Sequence, residues 1–222
     1  NFKVQHFHCK EEFDLIWVWM GKDEPSEEMF QMPFRSGVKG YHRYYMVTDF
    51  ENNVTDLVEN FLDVPHTVFV HKGWFRKEEN IKIPITVERT DGSVIVAYHQ
   101  KDDKIGAFSR LLNPKKLPII HYDKFYLPNT TRVDYQFGSE REREFIITST
   151  CTPINEYYTR VYTLITYNFK WLNPICKLVL PWYTKKVIMQ DVDIMKNQGD
   201  NLKTFKTKDY RSTQADTLHI YV

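Results

Sequence analysis

His121-Tyr122-Asp123-Lys124-Phe125-Tyr126, Thr131-Arg132-Val133-Asp134-Tyr135-Gln136-Phe137, Glu144-Phe145-Ile146-Ile147-Thr148-Ser149-Thr150 and the run from Tyr157 to Phe169 follow one another closely. Each is rich in β-branched and aromatic residues, the composition that suits a pleated, half-buried surface. Short polar stretches separate them, so they read as successive antiparallel strands. Upstream, Ile81-Lys82-Ile83, Ile85-Thr86-Val87 and Val94 to Tyr98 extend the pattern, with Asp91-Gly92 as a hairpin signal. The segment from Ala107 to Leu112 reads as a short helix stopped by Asn113-Pro114.

Outside this meander the periodicity changes. A helix is predicted to begin at Asn52 or Asn53, either of which can cap it, and to run through Leu57, Val58, Phe61 and Leu62 until Pro65 disturbs it. From Asn173 the pattern is helical again, with Pro181 as an interruption. The stretch from Tyr183 to Leu202 is amphipathic and is expected to end near Gly199 or soon after. Near the N-terminus, Leu15-Ile16-Trp17-Val18-Trp19-Met20 before Gly21 reads as a buried strand. Residues 22–45 read as loop and residues from Thr207 as a polar tail. Strand, helix, meander and helix make an α+β layout with helices on one sheet.

Composition narrows the function classes. The 222 residues suit one domain, and 30 basic against 29 acidic residues give no reason to expect nucleic acid or an anionic membrane as partner. No run approaches the roughly 18 apolar residues of a membrane span. No signal peptide is visible, and Cys9, Cys151 and Cys176 form no disulfide framework, so a cytoplasmic setting is expected. The 15% aromatic content fits a β-rich core and equally a roomy apolar ligand pocket.

The chemistry is concentrated in Glu59-Asn60-Phe61-Leu62-Asp63-Val64-Pro65-His66-Thr67-Val68-Phe69-Val70-His71. Asn60, Asp63 and His66 recur every three residues, near one helical face. His66 is surrounded at helical spacing by Leu62, Phe69 and Val70, an apolar setting for an imidazole. His66 and His71 would diverge by about 140° on an unbroken helix, so a shared ion needs a distortion between them. Asp63 is placed to accept a ring N–H from His66. A third ligand is sought in the last helix. Asp191 has Val187, Ile188, Ile194 and Met195 around it, whereas Asp193 faces Met189, Gln190, Lys196 and Asn197. A carboxylate within an apolar stripe is costly unless paired or metal-bound, which favours Asp191 over Asp193.

The spacing Asn60-x2-Asp63-x2-His66-x4-His71 resembles the mononuclear iron motif of Rieske-type non-haem iron oxygenases. Glu59 and Lys72-Gly73 are similar to its flanks. Asp191 with Gln198 resembles the family's C-terminal acidic signature, with Gln190 and Lys196 departing from it. The strand ending at Gly21 resembles the one that follows the family's iron–sulphur domain. The resemblance implies an oxygenase catalytic domain of the helix-grip (START-like) kind, with a metal-bearing helix and a long C-terminal helix. It implies Fe(II) held by His66, His71 and Asp191, and O2 as co-substrate. Asp63 would bridge to a cluster-bound His of a neighbouring subunit, with Asn60 beside the iron. The expected substrate is small and apolar or aromatic, the expected assembly a homotrimer, and the electron donor a ferredoxin or reductase.

No Cys-x-His…Cys-x2-His occurs in these residues, so a [2Fe–2S] cluster is expected from a missing upstream domain or another chain, and the fragment is not expected to turn over alone. On this reading residues 1–222 are one catalytic domain: a strand segment (1–21), a loop (22–45), an iron-binding core (46–206) and a tail (207–222). Residues 101–118 would be a mobile cover or a plain surface loop. The competing class is a non-catalytic helix-grip domain that binds a small hydrophobic ligand, with the His and Asp residues as polar anchors. A zinc hydrolase is disfavoured by the lack of HExxH.

Overall fold

The computed structural model describes residues 4–25, 35, 38–72, 84–99, 113, 115, 117–138, 143–207, 210–212 and 216. The strand expected at 81–83 and the helix at 107–112 lie outside these residues, as does most of the proposed cover at 101–118. The chain divides into two compact units, Asn1–Arg35 and Ser36–Val222.

The first unit is a hairpin of β1 (His8–Glu12) and β2 (Leu15–Trp19), paired in antiparallel register. Its two-residue turn puts Phe13 and Asp14 at φ of 60° and 59°, the left-handed pair that matches the twist of a tight hairpin. β2 is not the buried strand its apolar run suggests. Ile16 is 75% exposed and Val18 47%, while Leu15, Trp17 and Trp19 are half-buried. A two-stranded ribbon covers one face at most, so a continuous apolar run does not guarantee burial of both.

The second unit is built on a seven-stranded antiparallel sheet in the order β3-β9-β8-β7-β6-β5-β4. Its strands are β3 (His42–Phe50), β4 (Ile85–Arg89), β5 (Ser93–Tyr98), β6 (Ile119–Tyr126), β7 (Thr130–Phe137), β8 (Arg143–Asn155) and β9 (Tyr158–Asn168). Six consecutive strands form the expected meander. β3 departs from the sequence reading, because residues 42–45, read as loop, open a nine-residue strand. It closes the far edge against β9, where Asp49 lies opposite Arg160 and takes its guanidinium in two hydrogen bonds of 2.7 and 3.0 Å.

Among the described residues, two α-helices pack on this sheet and a short third one packs on the longer of them. Asn53 caps α1 (Val54–Leu62) by accepting a hydrogen bond from the Asp56 backbone N–H at 3.0 Å. Leu57, Val58 and Leu62 then bury into a cluster with Phe50, Val96, Phe125, Val161 and Met195. α1 ends at Asp63, whose extended backbone (φ −82°, ψ 92°) breaks the helix before the short α2 (His66–Val70). Asn60, Asp63 and His66 therefore do not share one helix. Their three-residue spacing is interrupted because Pro65 supplies no N–H and disfavours a helical Val64.

α3 (Asn173–Phe205) is one continuous helix of 33 residues. Pro181 does not divide it, and Gly199 does not end it. Buried Leu180, Tyr183 and Thr184 hold one part of it, and Asp191, Met195 and Gly199 the other, so one lost backbone hydrogen bond is outweighed by packing along the whole length. Gly199 has a separate reason to be glycine. A Cβ there would lie 2.3 Å from the carbonyl oxygen of Glu51. Next to that contact, the side chain of Asn52 donates to Met195 O and to Gln198 Oε1, both at 2.9 Å. The start of α1 is thus tied to the second half of α3. No helix among the described residues is long and apolar enough to cross a membrane.

Candidate metal centre

His66 opens α2 and His71 caps its end, at φ −101° and ψ 31°. Departure from helical geometry at His71 is the distortion needed for two imidazoles five residues apart to converge. Asp191 projects from the buried stripe of α3 and is 5% exposed, whereas Asp193 is exposed. His66 Nε2, His71 Nε2 and Asp191 Oδ1 meet as a nearly equilateral triangle with sides of 3.3, 3.2 and 3.4 Å. Asn60 Nδ2 lies 3.4 Å from the same Asp191 oxygen. Five sequence-predicted residues are therefore accounted for: three meet, Asn60 stands beside them, and Asp63 flanks His66.

The far side of each ring shows what the triangle is prepared for. His71 Nδ1 donates to Gln190 Oε1 at 2.9 Å. His66 Nδ1 donates to the backbone carbonyl of Asp63. The expectation that the Asp63 side chain takes this proton is corrected, since its carboxylate stands 3.9 Å away. The bend at Asp63 turns its carbonyl under the ring and leaves the carboxylate half-buried at the rim. With both Nδ1 atoms protonated, both Nε2 lone pairs face each other and a carboxylate oxygen. Three acceptors at such distances repel unless a proton or a cation lies between them.

Asp191 shows the same competition. Burial pushes its carboxyl upward, but in the metal-free site hydrogen bonds from the two rings, with a proton in place of the cation on Nε2, prevail and hold it below the usual carboxylate value. For His71, burial works against the charged form, and Asp191 and Gln190 outweigh it, so its affinity for a proton is raised. Burial raises the Asp63 carboxyl, against the nearby His66 and together with the acidic Asp216 and Asp123.

The donor set fits a divalent transition metal. Imidazole nitrogen and carboxylate oxygen bind such ions at about 2.0–2.2 Å, a reach compatible with a triangle of this size. Two neutral imidazoles and one carboxylate on a single face, with positions left open, suit non-haem Fe(II). The open side gives onto a cavity of about 860 Å³, counted with its mouth. Phe61 and Val64, expected to line a substrate space, do so together with Val133, Phe145, Ile147 and Ile165.

Two supporting residues escaped the sequence reading. Gln190 was visible only as a departure from an acidic signature, and the structure gives it the His71 ring to hold. Asn52, which the sequence marks only as a possible helix cap, ties α1 to α3. The pair His121 and Asp123 was read as strand. Its signal was two titratable residues at alternate, inward positions of β6.

Comparison with known proteins agrees with this geometry. Residues 50–222 match the family model described as the vanillate O-demethylase oxygenase C-terminal domain. Chlorophyllide a oxygenase, chloroplastic, from Oryza sativa subsp. japonica is 27% identical over 77 residues, which is 35% of this chain and 14% of the plant enzyme. Among solved structures, dicamba monooxygenase bound to dicamba superposes with a TM-score of 0.82 at 15% identity, covering 97% of this chain and 66% of that one. NdmA of Pseudomonas putida CBB5 with caffeine superposes with a TM-score of 0.75 at 16% identity, covering 100% of this chain and 62% of that one. NdmB of the same strain gives 0.72 at 17% identity, over 97% and 57%. The chain thus spans under two thirds of the length of each of these solved relatives. At these identities the superpositions establish the fold: an antiparallel sheet with a long C-terminal helix, in the helix-grip manner. With the family model covering most of the sequence, the chain belongs to the vanillate O-demethylase oxygenase C-terminal domain family, the catalytic domain of Rieske-type aromatic-ring-hydroxylating oxygenases.

Proposed function

We propose that this chain is the catalytic part of a terminal oxygenase that inserts oxygen from O2 into a small apolar or aromatic molecule at Fe(II). His66, His71 and Asp191 are the ligands, and their convergence on a cavity wall is the observation that carries the reading. When bound, a ferrous ion held on one face supplies the open positions at which O2 is activated beside the substrate. The protein's own groups prepare that site. Gln190 and the Asp63 carbonyl keep the proton on each Nδ1, which leaves both Nε2 lone pairs for the metal. Asn60 steadies the Asp191 carboxylate. The apolar cavity walls exclude water and favour a ring-sized guest.

Electrons in this proposal come from a Rieske [2Fe–2S] cluster carried outside these 222 residues. The Asp63 carboxylate, half-buried at the rim, is the group that receives the cluster-bound His of a neighbouring subunit in a homotrimer. A ferredoxin or reductase passes electrons to that cluster. Residues 1–222 then act as one catalytic domain within that assembly. The family's description names an O-demethylase, and two solved relatives hold dicamba and caffeine, both ring compounds that support a substrate of this size.

Metal analysis of anaerobically prepared protein tests the reading. About one Fe(II) per chain is expected in the wild type, and none in His66→Ala. Equal metal in the two would remove His66 from the ligand set. Asp63→Asn is expected to keep its iron and lose coupled turnover once a cluster-bearing partner is supplied, and retained turnover would remove the bridging role.

A further inference from the structure

The cavity contains a second built polar group. His121 and Asp123 stand two residues apart on β6, on its inward face, and each is 1% exposed. His121 Nε2 and Asp123 Oδ1 are 2.8 Å apart. The imidazole is clamped between Tyr98 and Tyr135, with ring centroids at 4.7 and 4.5 Å and both interplanar angles at 18°. A stacked ring cannot tilt, so its edge holds the Asp123 carboxyl in one orientation. The other oxygen, Asp123 Oδ2, is buried and meets no hydrogen-bond partner among the described residues. Asp123 lines the same cavity as the metal triangle, in a wall where Val133, Phe145 and Ile147 alternate with the hydroxyl residues Thr131, Ser149 and Thr163. Buried acceptors are nearly always satisfied, and one without a partner, on a residue that lines the cavity, marks a place where a donor is missing.

We propose that Asp123 Oδ2, positioned by His121, is the anchor that selects ligands of this cavity, and that these are ring compounds carrying a hydroxyl or N–H donor. The proposal deepens the oxygenase reading and rests on it for calling the ligand a substrate. The chemistry discriminates in two directions. A methyl ether or N-methyl analogue leaves the acceptor unsatisfied and brings a methyl against it. A carboxylate brings a second negative charge to a desolvated acidic group, which is worse. Asp123 is a specificity-determining residue and His121 a positioning residue.

The test uses two matched trios with the full 222-residue chain. One is 2-naphthol, 2-methoxynaphthalene and 2-naphthoate, and the other is indole, 1-methylindole and 1-methylindole-2-carboxylate. Ligand-observed NMR titrations give the affinities. The hydroxyl and N–H members are expected to bind about tenfold tighter than their methylated partners, which leave a buried acceptor unsatisfied, with the carboxylates weakest. The double variant His121→Phe/Asp123→Val replaces both partners with apolar groups and keeps a ring between the two tyrosines. It is expected to abolish the donor preference. If it does not fold, the wild-type His121 ring resonances provide the second readout, shifting with donor-bearing members alone.

Equal affinity for donors and methylated analogues in the wild type would overturn the proposal. So would a donor preference that survives in the double variant, or failure of both donors to bind at millimolar concentration, which would leave a buried water as the partner of Asp123. Iron content reports the underlying reading separately. A chain that sorts the trios without holding iron keeps the anchor and loses the oxygenase assignment, and a chain that holds iron and ignores donors does the reverse.

Discussion

Gly199→Ala is expected to destabilise the protein, against the ordinary effect of that substitution in a helix. In a free helical position alanine is favoured over glycine by about 1 kcal/mol. Here the new Cβ would lie 2.3 Å from Glu51 O, and ordinary contact begins at 3.4 Å, so α3 and the segment before α1 must part by about 1.1 Å. The obstacle is backbone, which has no rotamer to change. Overpacking of this kind costs about 1–3 kcal/mol, and a rigid carbonyl places it at the upper end. The net loss is about 2 kcal/mol, or about 4–8 °C in Tm for a chain of this length. Thermal and urea unfolding of metal-free protein measure it. The Asn52 bonds to Met195 and Gln198 would lengthen at the same time, so a lower iron affinity is expected alongside. A variant stabilised by about 1 kcal/mol would refute the reasoning, because helix propensity alone would then be acting and the close approach would not exist.

Gln190→Leu removes the acceptor behind His71 and is expected to lower iron affinity about 10–100-fold with little change in fold, as measured by competition with a chelator. Asp191→Asn should abolish stoichiometric iron while Asp193→Asn leaves it unchanged, and the opposite pattern would reassign the carboxylate ligand. Metal-free protein should have a stability window that the site itself sets. Asp191, held below its unfolded value near 3.9, stabilises above about pH 4 and loses that contribution as pH falls through its folded pKa. His71, raised above its unfolded value near 6.5, stabilises fully below about pH 6.5 and loses that contribution as pH rises through its folded pKa. Urea midpoints across pH should therefore fall on both sides of roughly pH 4–6.5, and His71→Ala should flatten the alkaline side.

How much of this could be read from residues alone depends on how local the cause was. The meander from β5 to β9 was legible because alternation and turn residues act over a few positions, and Asn53 was legible as a cap for the same reason. Asp191 was separable from Asp193 because helical periodicity places the first in the apolar stripe and the second outside it. β3 was not legible: His42 to Phe50 mixes exposed and buried positions, and its register is set by β9, more than a hundred residues away. Pro181 misled for a related reason. Local propensity marks it as a helix breaker, and the packing that overrides propensity comes from the sheet. At the site, the spacing of His66 and His71 allowed a shared ion only with a distorted helix, and the family resemblance supplied the ligand set. The switch of the His66 proton from the Asp63 carboxylate to its carbonyl arises from a backbone bend that no spacing rule contains. The Asp123 anchor was hidden because inward residues of a strand are expected to be apolar, and nothing in sequence distinguishes a satisfied polar pair from an open one.

The platform under the two histidines is the weakest element of the site. α2 has five residues, none of them fully buried, and a helix that short has no stability of its own. What holds it is the link of its two histidines to Gln190 and Asp191, across a span of sequence running from 66 to 191. An ion shared by those side chains would act as a staple across that span, adding about 4 kcal/mol to the folded state when present at a thousand times its dissociation constant. Amide exchange and protease nicking between residues 64 and 72 would then report whether a given molecule is charged with metal, so quality control in the cell could distinguish loaded from empty copies without sensing catalysis at all.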